Sequence, residues 1–394
     1  MSEAGNNPVK VESLRKRLVL FGGVLLAICV VGGIRDGGEF FRSYLVAFLF
    51  WIGITLGCLA LLMVQHLTGG NWALVIRRIL EAGSRTLPLM AVAVLPLLAG
   101  MKSLYSWSRP GQTDSVIVSK HLYLNPGFFI GRTIFYFACW FLLVHLLNKW
   151  SRIEDAGGNA SLWARFEGLS GGGLVLYGFT VTFASVDWVM SLEPRWYSTI
   201  YGMLFIVGQA LAALAFSIMA LIRLSSREPL SQAVRPSYFQ DLGSFLLAFV
   251  MLWAYLEFSQ FLIIWGGNLS EEIPWYIRRM QGTWGRVGLL LVLLNFALPF
   301  FLLLFRNVKR RTGSLMLVAG LVLAMRLVDM YWMVLPAFGG GDVHVTWMNV
   351  LLPFGMGGIW LAYFSWQLQQ MPILPVHDPR MEGEIGRASC RERV

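Results

Sequence analysis

Charge is scarce in this sequence. Of 394 residues only 14% are charged, against about 25% in ordinary soluble domains. With 56% hydrophobic residues, that shortage excludes a soluble globular domain and leaves a polytopic helical membrane protein. Redox and metal patterns are missing too. The four cysteines, Cys29, Cys58, Cys139 and Cys390, include no pair at metal-ligand or redox spacing, no haem-attachment segment and no iron–sulfur set. Cys29, Cys58 and Cys139 lie in apolar runs and read as small buried thiols. No helix carries two histidines at the spacing that grips a transmembrane haem: His66 and His145 lie near run ends, and His121, His344 and His377 lie outside the central runs. There is no Gly-rich phosphate loop, and Gly171–Gly173 reads as a site of close helix approach. The first apolar run lacks a small-residue cleavage site, so no cleavable signal peptide is expected. The net charge of +10 is explained by loop lysines and arginines and does not call for a nucleic-acid partner.

What the chain does have is long apolar runs. Ten are long enough to cross a bilayer, near 18–34, 43–65, 86–107, 127–148, 171–192, 199–223, 243–265, 286–305, 313–335 and 350–369. An all-α fold follows, with both termini on one face, side A. Sixteen Trp and twelve Tyr suit the aromatic belts at the two interfaces. Lysine and arginine favour side A, where the short loop 306–312 alone carries Arg306, Lys309, Arg310 and Arg311. This bias predicts that side A is cytoplasmic.

The predicted layout is a cytoplasmic segment over 1–17, a membrane domain over 18–369 and a cytoplasmic segment over 370–383. The last stretch, 384–394, is polar and unrelated to what precedes it; EIGRASCRERV has the look of a non-native read-through tail. Two loops read as helices lying flat on the membrane. In 70–85, Trp72, Val75, Ile76, Ile79 and Leu80 form an apolar stripe, with Arg77, Arg78, Glu81 and Arg85 facing water. In 270–284, Ile273, Tyr276, Ile277, Met280 and Trp284 do the same on side B, with Ser270 as N-cap. Pro96 and Pro299 fall inside spans and predict kinks. The similarity of SYLVAF (43–48) to SFLLAF (244–249) reads as chance rather than an inverted repeat.

Against this apolar background a few charges stand out. Asp187, Glu257, Arg326, Asp329 and Arg132 come from four different spans. Counting about 1.5 Å of rise per residue, they sit roughly 7–14 Å below side B. An intramembrane ionisable group costs a few kcal/mol on insertion scales, so it marks pairing, a water path or a ligand. Arg326 and Asp329 share a helix face. Either they are a local ion pair, or Arg326 holds a carboxylate or quinone oxygen while Asp329 exchanges protons. Glu257, near Ser259 and Gln260, is either an interhelical hydrogen-bond donor or a proton relay. Asp187, followed by Trp188 and Ser191, either braces the bundle or handles protons, and Arg132 either joins it or snorkels to headgroups.

The run SVDWVMSLEPRWYSTIYG carries a further signal, together with HLTGGNWALVIRRILEAGSRTLPLM, EFSQFLIIWGGNLSEEIPWYIRRMQGTWG and LPVHDPR. From about residue 13 to 381 the chain resembles the ActF family, the second NrfD/PsrC-like integral membrane subunit of bacterial alternative complex III. The resemblance implies ten helices in two four-helix bundles, flanked by one helix on each side, in the bacterial inner membrane. It implies a respiratory complex that oxidises a quinol, typically menaquinol. Iron–sulfur clusters and c-type haems in partner subunits pass the electrons on. The sister NrfD-like subunit is the better candidate for quinol oxidation, while this type is taken to bind quinone or conduct protons and has no covalently bound cofactor. Asp187, Ser191, Pro194 and Trp196 match the family pattern D-x-x-x-S-x-x-P-x-W. Glu257, Arg326, Asp329 and Arg132 rest on depth alone. A stand-alone transporter and a purely structural scaffold are the alternatives.

Overall fold

A computed structural model describes residues 8–374, apart from 71, 73, 112, 158–160, 227, 229 and 340–341. The proposed tail over 384–394, with Cys390, lies outside the described residues, as do 375–383 and the first seven positions. Every regular element among the described residues is helical. Ten helices are long and apolar enough to span a membrane: α1 (Glu12–Arg35), α2 (Gly37–Thr68), α3 (Arg77–Ala99), α4 (Pro126–Asp155), α5 (Leu162–Leu192), α6 (Tyr201–Leu224), α7 (Pro236–Gly267), α8 (Gly282–Leu304), α9 (Thr312–Phe338) and α10 (Trp347–Leu368). The protein is therefore a multi-pass membrane protein.

The helix ends follow local chemistry. Asp36 caps α2 by accepting from the Glu39 amide, and Gly69 ends that helix with φ 63°. Asn125 caps α4 with Pro126 in the first turn. Thr346 and Asn349 close a reciprocal capping box on α10. Pro96 and Pro299 do interrupt their spans. The α-helix breaks at Val94 in α3, and α8 carries a π-helical stretch over Val292–Ala297.

Helix α2 is buried throughout its middle, from Ser43 to Met63, and forms the axis of the molecule. It packs on α3 and α5, and α4 packs on α5, giving one four-helix group; α6 packs on α7 and α9, and α8 joins α7 to α9, giving a second. The α2–α6 contact joins the groups. The outer helices do not sit one on each side. Instead α1 and α10 pack along each other and against α2. Glycines allow this approach: a Cβ at Gly22 would lie 2.6 Å from the Gly355 carbonyl oxygen, and one at Gly358 would lie 3.0 Å from Gly22 Cα.

The segment 70–85 does not lie flat on the membrane. Arg77, Arg78, Glu81 and Arg85 are buried as the first turns of α3, which begins nine residues before the predicted run at 86. Neutralisation makes this possible. Arg77 pairs with Glu81 (3.1 Å) and Glu154 (2.5 Å), and Arg78 pairs with Glu81 (2.7 Å) and Asp155. Arg85 donates to the Gln367 carbonyl (3.0 Å). The polar face meets protein acids rather than water. On side B a short helix does form, Ile273–Met280, but its N-cap is Glu272 rather than Ser270. Its buried face is Trp275, Tyr276 and Arg279, while Ile277 and Met280 are exposed. Of the three thiols among the described residues, Cys29 and Cys58 are buried and Cys139 is only partly so.

Candidate functional site

The five charged residues form two separate groups. In the first bundle, Asp187 on α5 is fully buried. Arg132 on α4 grips both its oxygens, Nε to Oδ2 and Nη2 to Oδ1, each at 2.8 Å. The Tyr136 hydroxyl donates to Oδ2 at 2.7 Å. Arg132 also donates to the Tyr123 carbonyl (3.1 Å) and lies over the Tyr123 and Phe128 rings. A bidentate, charge-assisted pair of this kind is strong and directional. Around it, the Trp188 indole meets Thr133 Oγ1 (3.4 Å), Tyr105 donates to the Trp188 carbonyl (2.9 Å) and Ser191 Oγ donates to the Asp187 carbonyl (2.5 Å). Beyond the helix end, Trp196 stacks on Trp275 at 4.6 Å between centroids. The D-x-x-x-S-x-x-P-x-W run thus braces α5 against α4 and the side B helix.

In the second bundle the arrangement is open. A cavity of about 730 Å³ lies between α7, the short side B helix, α8 and α9. Its polar lining comes from Glu257, Asp329, Arg279 and Tyr276, set among aromatic walls that include Trp253, Phe261, Phe296 and Trp332. The volume falls within the usual small-molecule range of about 300–1,000 Å³. Lining residues Tyr255, Phe258, Leu289 and Val292 are more than half exposed. They lie on the apolar flank between α7 and α8, so the cavity opens toward lipid. The space has a local origin in α8, where Gly285 and Gly288 line the cavity and the π-helical stretch contributes Val292 and Phe296. A Cβ at Gly288 would come within 3.3 Å of Trp332 Nε1.

Polar atoms of this lining that are buried without a hydrogen-bond partner among the described residues include Glu257 Oε1 and Trp332 Nε1. Native structures rarely leave such atoms unsatisfied without water or a ligand nearby. Asp329 Oδ2 takes Arg326 Nη1 at 2.5 Å, so of the two alternatives the local pair is formed, and Arg326 itself packs beside Gly208 and Gln209. Gln260 is fully buried, accepts from Ser198 (3.2 Å) and donates to the Tyr276 hydroxyl (3.4 Å). Burial and the nearby Glu257 charge push the Tyr276 phenol up, which keeps it a hydroxyl donor.

Sequence reasoning missed Arg279 and Glu193. Arg279 is buried at the side B end of the cavity and uses its donors on the Trp275, Trp332 and Met333 carbonyls and on Glu193 Oε1 (3.0 Å). Its guanidinium lies 3.7 Å from a Trp275 ring centroid. Burial lowers its proton affinity and Glu193 opposes that shift. Glu193 is buried as well and reaches Arg278 Nη1 at 2.9 Å. The only signal available was an acid in one side B loop facing an Arg-Arg pair in another. Thus Glu257, Arg326, Asp329 and Gln260 gather at or beside the open cavity, while Asp187, Arg132, Trp188 and Ser191 form the closed brace. No protein-family model matches the chain, and no curated protein matches it.

Proposed function

We propose that this chain is a membrane subunit of a respiratory quinol oxidoreductase of the alternative complex III type. In this reading it supplies a quinone-binding site and a path for the quinone's protons, while partner subunits carry the electrons. The observation that carries the reading is the lipid-open cavity with unpartnered Glu257 Oε1 and Trp332 Nε1 in its wall. A quinone has an aromatic head, two carbonyl oxygens and a tail soluble in lipid. The aromatic walls suit the head, the opening between α7 and α8 suits the tail, and the Trp332 indole and Tyr276 hydroxyl suit the carbonyls. Oxidising a quinol yields two protons and two electrons. The ionised Glu257 carboxylate at the ring takes one proton, passes it on, and then takes the second. The two electrons would pass to partner subunits, whose iron–sulfur clusters and c-type haems would supply the redox chemistry.

In this reading the chain sits in a bacterial inner membrane with both termini in the cytoplasm, as the loop charge bias favours. The cavity then lies toward the periplasmic half. The test is purification of the full-length tagged chain from its native membrane. Co-eluting c-type haem absorbance and extractable quinone are expected. A chain that elutes alone and free of quinone contradicts the proposal.

A further inference from the structure

A second cavity lies against the first on side B. It measures about 680 Å³ and its lining includes Asp114, Lys120, Glu193, Arg195, Glu271 and Arg278. These residues come from the side B loops and the short helix Ile273–Met280, outside the ten spans. Charges of both signs at a loop face make it a polar vestibule rather than a lipid site. Among the described residues, the ion pair that connects it to the quinone cavity is that of Glu193, in the vestibule wall, and Arg279, in the cavity wall, 3.0 Å apart. Trp275 closes the rest of the partition, stacked on Trp196 and lying under Arg279.

We infer that Glu193 is the proton outlet of the cavity and that Arg279 is the charge that switches between it and the cavity acids. The inference rests on the quinone reading above. An arginine keeps its proton throughout, so the guanidinium cannot relay one. Instead the proton moves from a cavity carboxylic acid, Glu257 or Asp329, to the Glu193 carboxylate through intervening water. The acid becomes a carboxylate and Glu193 becomes a neutral acid. The guanidinium then favours the new cavity carboxylate over neutral Glu193. Glu193 releases its proton to water in the vestibule, where Arg278 draws the restored carboxylate back. One proton has crossed, Glu193 is back at its starting charge, and the cavity carboxylate is restored to its acid form when it takes the next proton from quinol. Lys120, held by the Pro194 carbonyl (2.7 Å), and Arg195, paired with Asp114 (2.9 Å), hold the vestibule loops in place.

The test uses the intact membrane complex carrying this chain in sealed vesicles, with a short-tailed naphthoquinol as donor and a pH-sensitive dye on side B. Glu193→Gln is expected to keep quinone affinity within about twofold while lowering proton release and turnover about tenfold. Glu193→Asp is expected to restore most of both. The loss should come with a larger solvent deuterium isotope effect, which a merely structural defect does not produce. Wild-type proton release in Glu193→Gln overturns the outlet and leaves the quinone site standing. A wild-type complex that binds no quinone overturns both. Should Glu193→Gln fail to assemble, Ala337→Cys in the vestibule wall decides the matter, in a chain with Cys390→Ser. A bulky membrane-impermeant thiol reagent added on side B is expected to block proton release without displacing quinone. Unchanged release after full labelling overturns the outlet.

Discussion

Each bundle of this protein buries carboxylates in its side B half, and the two treat them oppositely. Asp187 has both oxygens filled by Arg132 and Tyr136, inside a layer of interlocked aromatics. Glu257 has an oxygen with no partner and faces a cavity open to lipid. The difference does not lie in the acids but in the helix opposite each. Helix α4 presents an arginine and a tyrosine one turn apart. Helix α8 presents two glycines and a π-helical stretch, and so presents empty space. A buried charge is a brace where its neighbours complete its hydrogen bonds and a site where they leave one open.

Substitutions can break or sharpen this contrast. The largest effect is expected from Asp187→Ala, which strands the Arg132 guanidinium inside the first bundle. Breaking a buried pair typically costs about 3–5 kcal/mol, so the variant should unfold at much lower denaturant in detergent, or fail to accumulate. A stability near wild type would show that the pair braces nothing. Next, Glu257→Gln is nearly isosteric and should leave the fold intact while lowering quinol turnover on the order of 10²-fold, the scale of a lost general base. Full turnover in a steady-state assay would remove Glu257 from the chemistry.

Ala254→Phe fills the cavity from α7 with a ring. Quinone affinity measured by titration should weaken about tenfold, or about 1.4 kcal/mol, with the melting midpoint little changed. Equal affinity would place the quinone elsewhere. The smallest effect belongs to Tyr136→Phe, which removes one of three hydrogen bonds to Asp187. It should cost about 1 kcal/mol of stability and leave quinone binding untouched. A change in quinone affinity there would merge the two regions into one site.

The spans were legible because each is a long apolar run, and hydropathy needs no partner to be read. The start of α3 was not. Arg77, Arg78 and Arg85 look solvent-facing until Glu154 and Asp155, at the far end of α4, are brought beside them. Depth along a helix identified Asp187, Glu257, Arg326, Asp329 and Arg132, but depth gives height and not direction around the bundle. It therefore grouped residues that face two different interiors. The cavity was invisible because it depends on Gly285, Gly288 and the bond pattern of Val292–Ala297, none of which is chemically conspicuous. Glu193 was overlooked because a loop acid is ordinary until Arg279 is found buried against it.

The contrast between a closed brace and an open site is tested most directly by photolabelling. A naphthoquinone bearing a photoreactive group on its head would be irradiated with the intact complex and the adducts mapped by peptide mass spectrometry. The account predicts labelling of α7 within residues 251–261 and of α8 within 285–296, abolished by excess quinol. Competable labelling around Tyr136 and Asp187 in the first bundle, with none on α7 or α8, would contradict it.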